Sequence, residues 1–263
     1  VPNTHSPSLQ RGNIPAEVFF KQPVPAPDLM TISTFSLDFE GHRIHGDQWL
    51  ASDARRHAVL LHGGGSSTLE AFTPLREHLL GEHISSTAFD FIGHGRTGGK
   101  LQGSSLHARV KQTLIVMKAM QIESSEAALV GYSMGAYVAL HVAKQRQIGR
   151  LALGVPAAYA PEAFDVPFGP GFSAILRREN SWQESDAFTL IREFSGHLFV
   201  FYGSEDQVVP DAIPLTFVAS AQQAASVDSY ALVGGGHKLS AHYEKHPEDR
   251  KAVHQRITDL ILR

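Results

Sequence analysis

Residues 128–140 read ALVGYSMGAYVAL, an apolar run interrupted by Gly131-x-Ser133-x-Gly135. Val, Leu and Ala on both sides describe buried structure, and glycines flanking one serine describe a sharp turn. A buried strand that turns at once into a buried helix needs small residues on both flanks of the turn. It also lifts the side chain at the apex, Ser133, into the open.

Outward from this stretch, the same kind of run recurs. HAVLLHGGG from His57, ISSTAFDFIG from Ile84, EAALVGYS from Glu126, RLALGVPA from Arg150, HLFVFYGSED from His197 and SVDSYALVGGG from Ser226 are short and nearly continuously apolar. Strands covered on both faces have this composition. Helical patterns fall between or after them, at 68–81, 104–121, 134–146, 211–223 and 247–262. Strand–helix alternation predicts an α/β fold with a doubly wound, mostly parallel sheet. Upstream, TISTFSLDFEG and HRIHGDQWLA alternate with period two around Gly41, which predicts an N-terminal antiparallel hairpin. Residues 1–30 are proline-rich and read as an extended arm, leaving 31–263 as a single domain. Residues 156–196 are too short for a separate domain and read as a small lid or elaborated loop.

Composition bounds the function. The chain has 263 residues, 43% hydrophobic and 19% charged, with net charge −3 and no basic run, so neither nucleic acid nor a membrane surface is an expected partner. Cysteine is absent, which excludes disulfides, thiolate catalysis and Cys-ligated metal, and fits a reducing, cytoplasmic setting. No stretch approaches the ~20 apolar residues of a membrane span, and residues 1–17 lack the apolar core of a signal peptide.

In an open parallel sheet, ligands bind beyond the carboxyl ends of the strands. The apolar runs end there in His62-Gly63-Gly64-Gly65, in Asp90 with GHGRTGG, in Ser133, in GSED with Asp206, and in GGGH with His237. A serine, an acid and a histidine thus occupy three strand ends on one predicted edge. Serine needs a base to take its proton, imidazole suits that task near neutral pH, and a carboxylate fixes the imidazole tautomer. A tetrahedral oxyanion needs preorganised donors, which the Gly64 and Met134 amides would supply, with the dipole of the helix opening at Met134 adding to them.

These segments resemble the α/β-hydrolase family, over about residues 32–263. The nucleophile elbow is G-x-S-x-G, and the triad order Ser, Asp, His is the same. LHGGGSSTLEAFTPLREHLL is similar to the family's His-Gly oxyanion loop and helix. FDFIGHGRTGGKL resembles D-x-x-G-H-G-x-S, with Thr97 in place of the serine, and YGSEDQVVP and GGGHKLS match the acid and histidine segments. The nearest subgroups in motif are monoacylglycerol-lipase-like and cinnamoyl-esterase-like hydrolases, although the lid here is shorter and Ala136 stands where a second glycine is frequent. The resemblance implies a cofactor-free serine hydrolase for a small carboxylic ester, with Ser133, Asp206 and His237 catalytic. It also implies that His62 and His94 organise loops. The short lid favours short-chain or aryl esters.

Competing readings are weaker. Thioester, amide or peptide, perhydrolysis and C–C chemistry can run on the same triad, and a noncatalytic binding module can share the scaffold. Dehalogenases and epoxide hydrolases carry aspartate at the elbow. GGGSST lacks the Gly-Lys-Ser/Thr of a phosphate-binding loop. Glu205 and Asp211 compete with Asp206 as the acid, and Asp90 reads as holding its own loop. His242 and His246 have one-turn spacing but too few companions for a metal, and read as a solvated face. Tyr159, Phe164, Phe168 and Phe172 are either core or the wall of an acyl or aryl pocket.

Overall fold

The structure, a computed structural model, describes residues 18–20 and 30–263. The rest of the proline-rich arm lies outside the described residues. The alternating segments form β2 (Met30–Phe39) and β3 (His42–Ala51), paired antiparallel from Met30↔Ala51 to Phe39↔His42. Glu40 (φ 48°) and Gly41 (φ 80°) both have positive φ between them, the backbone that matches the twist of a two-residue hairpin. A short β1 (Val18–Phe20), within the stretch expected as an extended arm, pairs antiparallel with β2.

The six apolar runs become β4 (His57–Leu61), β5 (Ser85–Phe89), β6 (Ala127–Tyr132), β7 (Arg150–Gly154), β8 (His197–Gly203) and β9 (Ser226–Leu232). Strand order is β1-β2-β3-β5-β4-β6-β7-β8-β9, with β5 to β9 mutually parallel through β4. This is the expected doubly wound, mostly parallel sheet with an antiparallel N-terminal edge. β9 departs from the continuous-run reading: it is the sheet's last strand, and its residues alternate between half-buried and exposed.

Side chains alternate between two cores, one on each sheet face. Ala58, Leu60, Ala128 and Val130 face one layer with α1 (Thr73–Gly81), α7 (Leu239–Lys245) and α8 (Pro247–Leu262). Val59, Leu61 and Leu129 face the other, with α2 (Leu106–Ala119), α3 (Met134–Arg146) and α6 (Ala212–Ser220). The segment 156–196 contains α4 (Pro170–Leu176), α5 (Ala187–Arg192) and two short 3₁₀ turns. No helix among the described residues is long and apolar enough to cross a membrane.

The chain leaves β4 toward β5 on one side and later leaves β6 toward β7 on the other. The crevice of the sheet therefore opens between the ends of β4 and β6, where His62-Gly63-Gly64 and Ser133 emerge.

Candidate active site

Ser133 connects β6 to α3 with φ 53° and ψ −119°, backbone that costs a non-glycine residue ~1–3 kcal/mol. Neighbouring contacts hold it there. Its N–H donates to Gly154 O at 2.8 Å, and its carbonyl accepts from the amides of Ala136 (3.0 Å) and Ala157 (3.3 Å). The flanking glycines are required by space. A Cβ at Gly131 would strike the Gly135 backbone and the Ala136 Cα, and one at Gly135 would strike the carbonyl oxygens of Leu61 and His62. A serine before a helix usually caps it with its hydroxyl. Ser133 makes no such bond, and its Oγ points instead toward His237.

His237 Nε2 lies 3.1 Å from Ser133 Oγ, and His237 Nδ1 lies 2.8 Å from Asp206 Oδ2. The loops after β8 and β9 bring these residues together. Glu205 N donates to Gly235 O, and Gly203 has no room for a Cβ against Gly235 and Gly236. The Asp206 side chain is only 4% exposed, against 21% for His237. Asp206 Oδ1 accepts from the amides of Val208 (2.8 Å) and Val209 (2.9 Å), which leaves Oδ2 for the imidazole. A carboxylate facing Nδ1 requires the proton there, so the Nε2 lone pair faces the serine hydroxyl. The rival acids, Glu205 and Asp211, are both exposed.

The remaining residues singled out from the sequence fall into place around this row. Gly64 lies against the Met134 side chain, where a Cβ on Gly64 would sit 3.6 Å from Met134 Cε. As the first residue of α3, Met134 has an N–H with no intrahelical carbonyl to meet. Asp90 is fully buried, and its oxygens accept from the amides of Leu69 and Arg96, both at 2.9 Å. Burial raises its carboxyl pKa. Thr97 makes two bonds with one hydroxyl, donating to Asp90 O (2.6 Å) and accepting from His45 N (2.9 Å).

His62 and His94 are both buried, and their neighbours fix their tautomers. Phe91 N–H donates to His62 Nε2 at 3.1 Å, so His62 Nδ1 carries the proton and donates to Gly63 O at 2.8 Å. The Arg109 guanidinium donates to His94 Nε2, so His94 Nδ1 donates to Ser67 O at 2.9 Å. Burial pushes the His62 pKa well below the usual range and that of His94 to about 4, so both rings are neutral.

The aromatic residues separate. Phe164 is stacked between His107 (5.0 Å) and His141 (4.6 Å), fastening the segment 156–196 onto α2 and α3. Tyr159, Phe168 and Phe172 form a buried cluster, with Phe168 and Phe172 edge to face at 4.9 Å. His242 does not belong to a solvated face: it is buried and meets Asp249 Oδ2 at 2.6 Å, because α7 packs against α8. His246 remains exposed. Among the described residues, no three His, Cys, Asp or Glu side chains gather to hold a metal ion.

Sequence reasoning passed over Arg109, which is completely buried beneath the Gly63 carbonyl. A signal was present. Leu106, Arg109, Val110, Thr113 and Met117 share one face of α2, so Arg109 is a charge on an otherwise core-facing stripe.

A profile of the alpha/beta hydrolase family matches residues 58–242, which hold every residue of this site. The chain belongs to the alpha/beta hydrolase family. A comparison with curated sequences gave no significant match. Among solved structures, this hydrolase is similar to Est1E from Butyrivibrio proteoclasticus with ferulic acid bound. The identity is 17%, with 87% of this chain and 99% of that chain covered, and the TM-score is 0.66. A monoacylglycerol lipase from Paleococcus ferrophilus gives 16% identity, 82% and 98% coverage, and a TM-score of 0.64. A thioesterase domain from the curacin biosynthetic pathway gives 18%, 88% and 99%, and 0.63. At these identities the likeness shows the fold of the hydrolase alone.

Proposed function

We propose that the protein is a serine hydrolase of small carboxylic esters, working through an acyl-enzyme. The observation that carries this reading is the continuous row Ser133 Oγ–His237 Nε2, His237 Nδ1–Asp206 Oδ2, with the imidazole lone pair facing the hydroxyl. In the proposed cycle, His237 takes the Ser133 proton as Oγ attacks the ester carbonyl. The amides of Gly64 and Met134 receive the oxyanion. His237 then hands its proton to the departing alcohol oxygen. Water, deprotonated by the same imidazole, attacks the acyl carbon, and His237 returns that proton to Ser133 Oγ as the C–O bond breaks and the acid departs. Asp206 holds the tautomer and stabilises the imidazolium.

The lid supports a short or aryl acyl group. Ala157 is anchored to the Ser133 carbonyl, so the segment running to the Tyr159–Phe168–Phe172 cluster begins beside the nucleophile. We assign Tyr159, Phe168 and Phe172 to the acyl side of the site and Phe164 to lid attachment. The test is a panel of p-nitrophenyl esters from acetate to palmitate, aryl esters, and matched thioesters and anilides, read as kcat/KM. The expected result is a maximum among acetate-to-hexanoate and aryl esters, with anilides at least a thousandfold lower. A maximum at palmitate, or thioesters exceeding their matched oxygen esters, would contradict the assignment.

A further inference from the structure

We propose that Arg109 is a positioning residue of the oxyanion pocket, acting through the Gly63–Gly64 peptide to raise the rate of reaction rather than the affinity for substrate. The proposal rests on Ser133 being the nucleophile and Gly64 N–H an oxyanion donor.

Arg109 Nη1 donates to Gly63 O at 3.1 Å, and His62 Nδ1 donates to the same oxygen at 2.8 Å. A carbonyl has two lone pairs, and here both are taken. Gly63 O and Gly64 N–H belong to one planar trans peptide, so they point in opposite directions. Pinning the carbonyl toward Arg109 and His62 therefore fixes where the Gly64 N–H points. A cationic donor on the carbonyl also draws electron density away from the nitrogen, which makes that N–H a better donor.

The charge balance of the guanidinium points the same way. Arg109 is fully buried, and burial pushes its pKa down to about 10, so it stays charged at neutral pH. Among the described residues its polar partners are a carbonyl oxygen and the neutral His94 ring, and it packs on the faces of Phe91 (4.7 Å) and Phe168 (4.9 Å). Its Nε–H has no partner among them. Among the described residues the other fully buried arginine, Arg76, is paired with the Asp47 carboxylate. A buried cation without a carboxylate is costly in the resting protein. Its counter-charge appears when Ser133 Oγ adds to the carbonyl, the proton passes to His237 and the carbonyl oxygen becomes an anion at the Gly64 N–H. The attraction is then stronger in the transition state than with bound substrate, which raises kcat and leaves KM nearly unchanged.

Arg109→Met keeps an unbranched apolar stem in the buried site and removes the guanidinium with its charge. The expected kcat on p-nitrophenyl butyrate is about a hundredfold below wild type with KM within about twofold, the size seen when an oxyanion donor is lost. Affinity for an alkyl trifluoromethyl ketone, which adds to serine as a tetrahedral oxyanion, falls by a similar factor. Arg109→Lys, retaining the charge and one donor, recovers about tenfold in both readouts. A folded Arg109→Met with kcat within threefold of wild type, or with only KM raised, would overturn the proposal. Should Arg109→Met fail to fold, Arg109→Lys decides: a tenfold loss in kcat and ketone affinity supports the role, and parity with wild type in both overturns it. Ser133→Ala, measured alongside, separates the two levels. If it still turns over the ester, the nucleophile assignment fails and the proposal falls with it; if it is dead while both Arg109 variants match wild type, only the role of Arg109 is lost.

Discussion

Ser133→Ala is expected to lower kcat/KM on an aryl ester by about 10⁵–10⁶-fold, equivalent to roughly 7–8 kcal/mol of transition-state stabilisation. In the proposed mechanism the substitution removes the atom that attacks the substrate carbon, and it leaves the backbone contacts of the turn in place. The backbone bonds of Ser133, from its N–H to Gly154 O and from Ala136 and Ala157 to its carbonyl, do not involve the side-chain oxygen. Alanine meets the same strain at φ 53° as serine does. The melting temperature of the variant should therefore match that of the wild type, so its inactivity cannot be ascribed to unfolding. Residual turnover would come from the oxyanion donors acting on water.

Asp206→Asn is expected to cost about 10⁴-fold in kcat with little change in KM, for a reason that can be traced atom by atom. The amides of Val208 and Val209 both donate to Asp206 Oδ1. An asparagine must keep its carbonyl oxygen there, because turning its NH₂ toward two N–H groups would set donor against donor. The NH₂ group then faces His237 Nδ1, 2.8 Å away in the wild type, and donates to it. That forces the imidazole proton onto Nε2, the atom that must accept from Ser133. The base is present and correctly placed but in the wrong tautomer. Steady-state kinetics on p-nitrophenyl butyrate checks this, and a loss below tenfold would show that the carboxylate does not set the tautomer.

The sequence carried the fold because parallel strands buried on both faces have a composition that short-range pattern reveals. β4 to β8 were legible for that reason. β9, at the edge, alternates between half-buried and exposed residues up to the buried Leu232, an exposure that its nearly continuous apolar run does not announce. The elbow was legible because Gly131 and Gly135 have no space for a Cβ. The three side chains at the strand ends were legible because in a parallel sheet the strands end on a common edge. What pairing does to individual side chains was not legible. Nothing local to HYEKH says that Asp249, on the next helix, buries His242. Phe164 resembles its aromatic neighbours in sequence, yet it is stacked between two histidines from different helices while they form a separate cluster. Arg109 left a trace, a charge on the apolar stripe of α2, but its contact with Gly63 spans 46 residues of chain, which no local pattern reveals.

Covalent labelling of the folded protein by an alkyl fluorophosphonate, followed by peptide mapping, tests the nucleophile most directly. The expected result is one adduct per chain, on the peptide carrying Ser133, forming in step with loss of esterase activity and slowed at least a thousandfold by His237→Ala. An adduct on a different residue, or full loss of activity with Ser133 unmodified, would contradict the assignment of Ser133 as the attacking group.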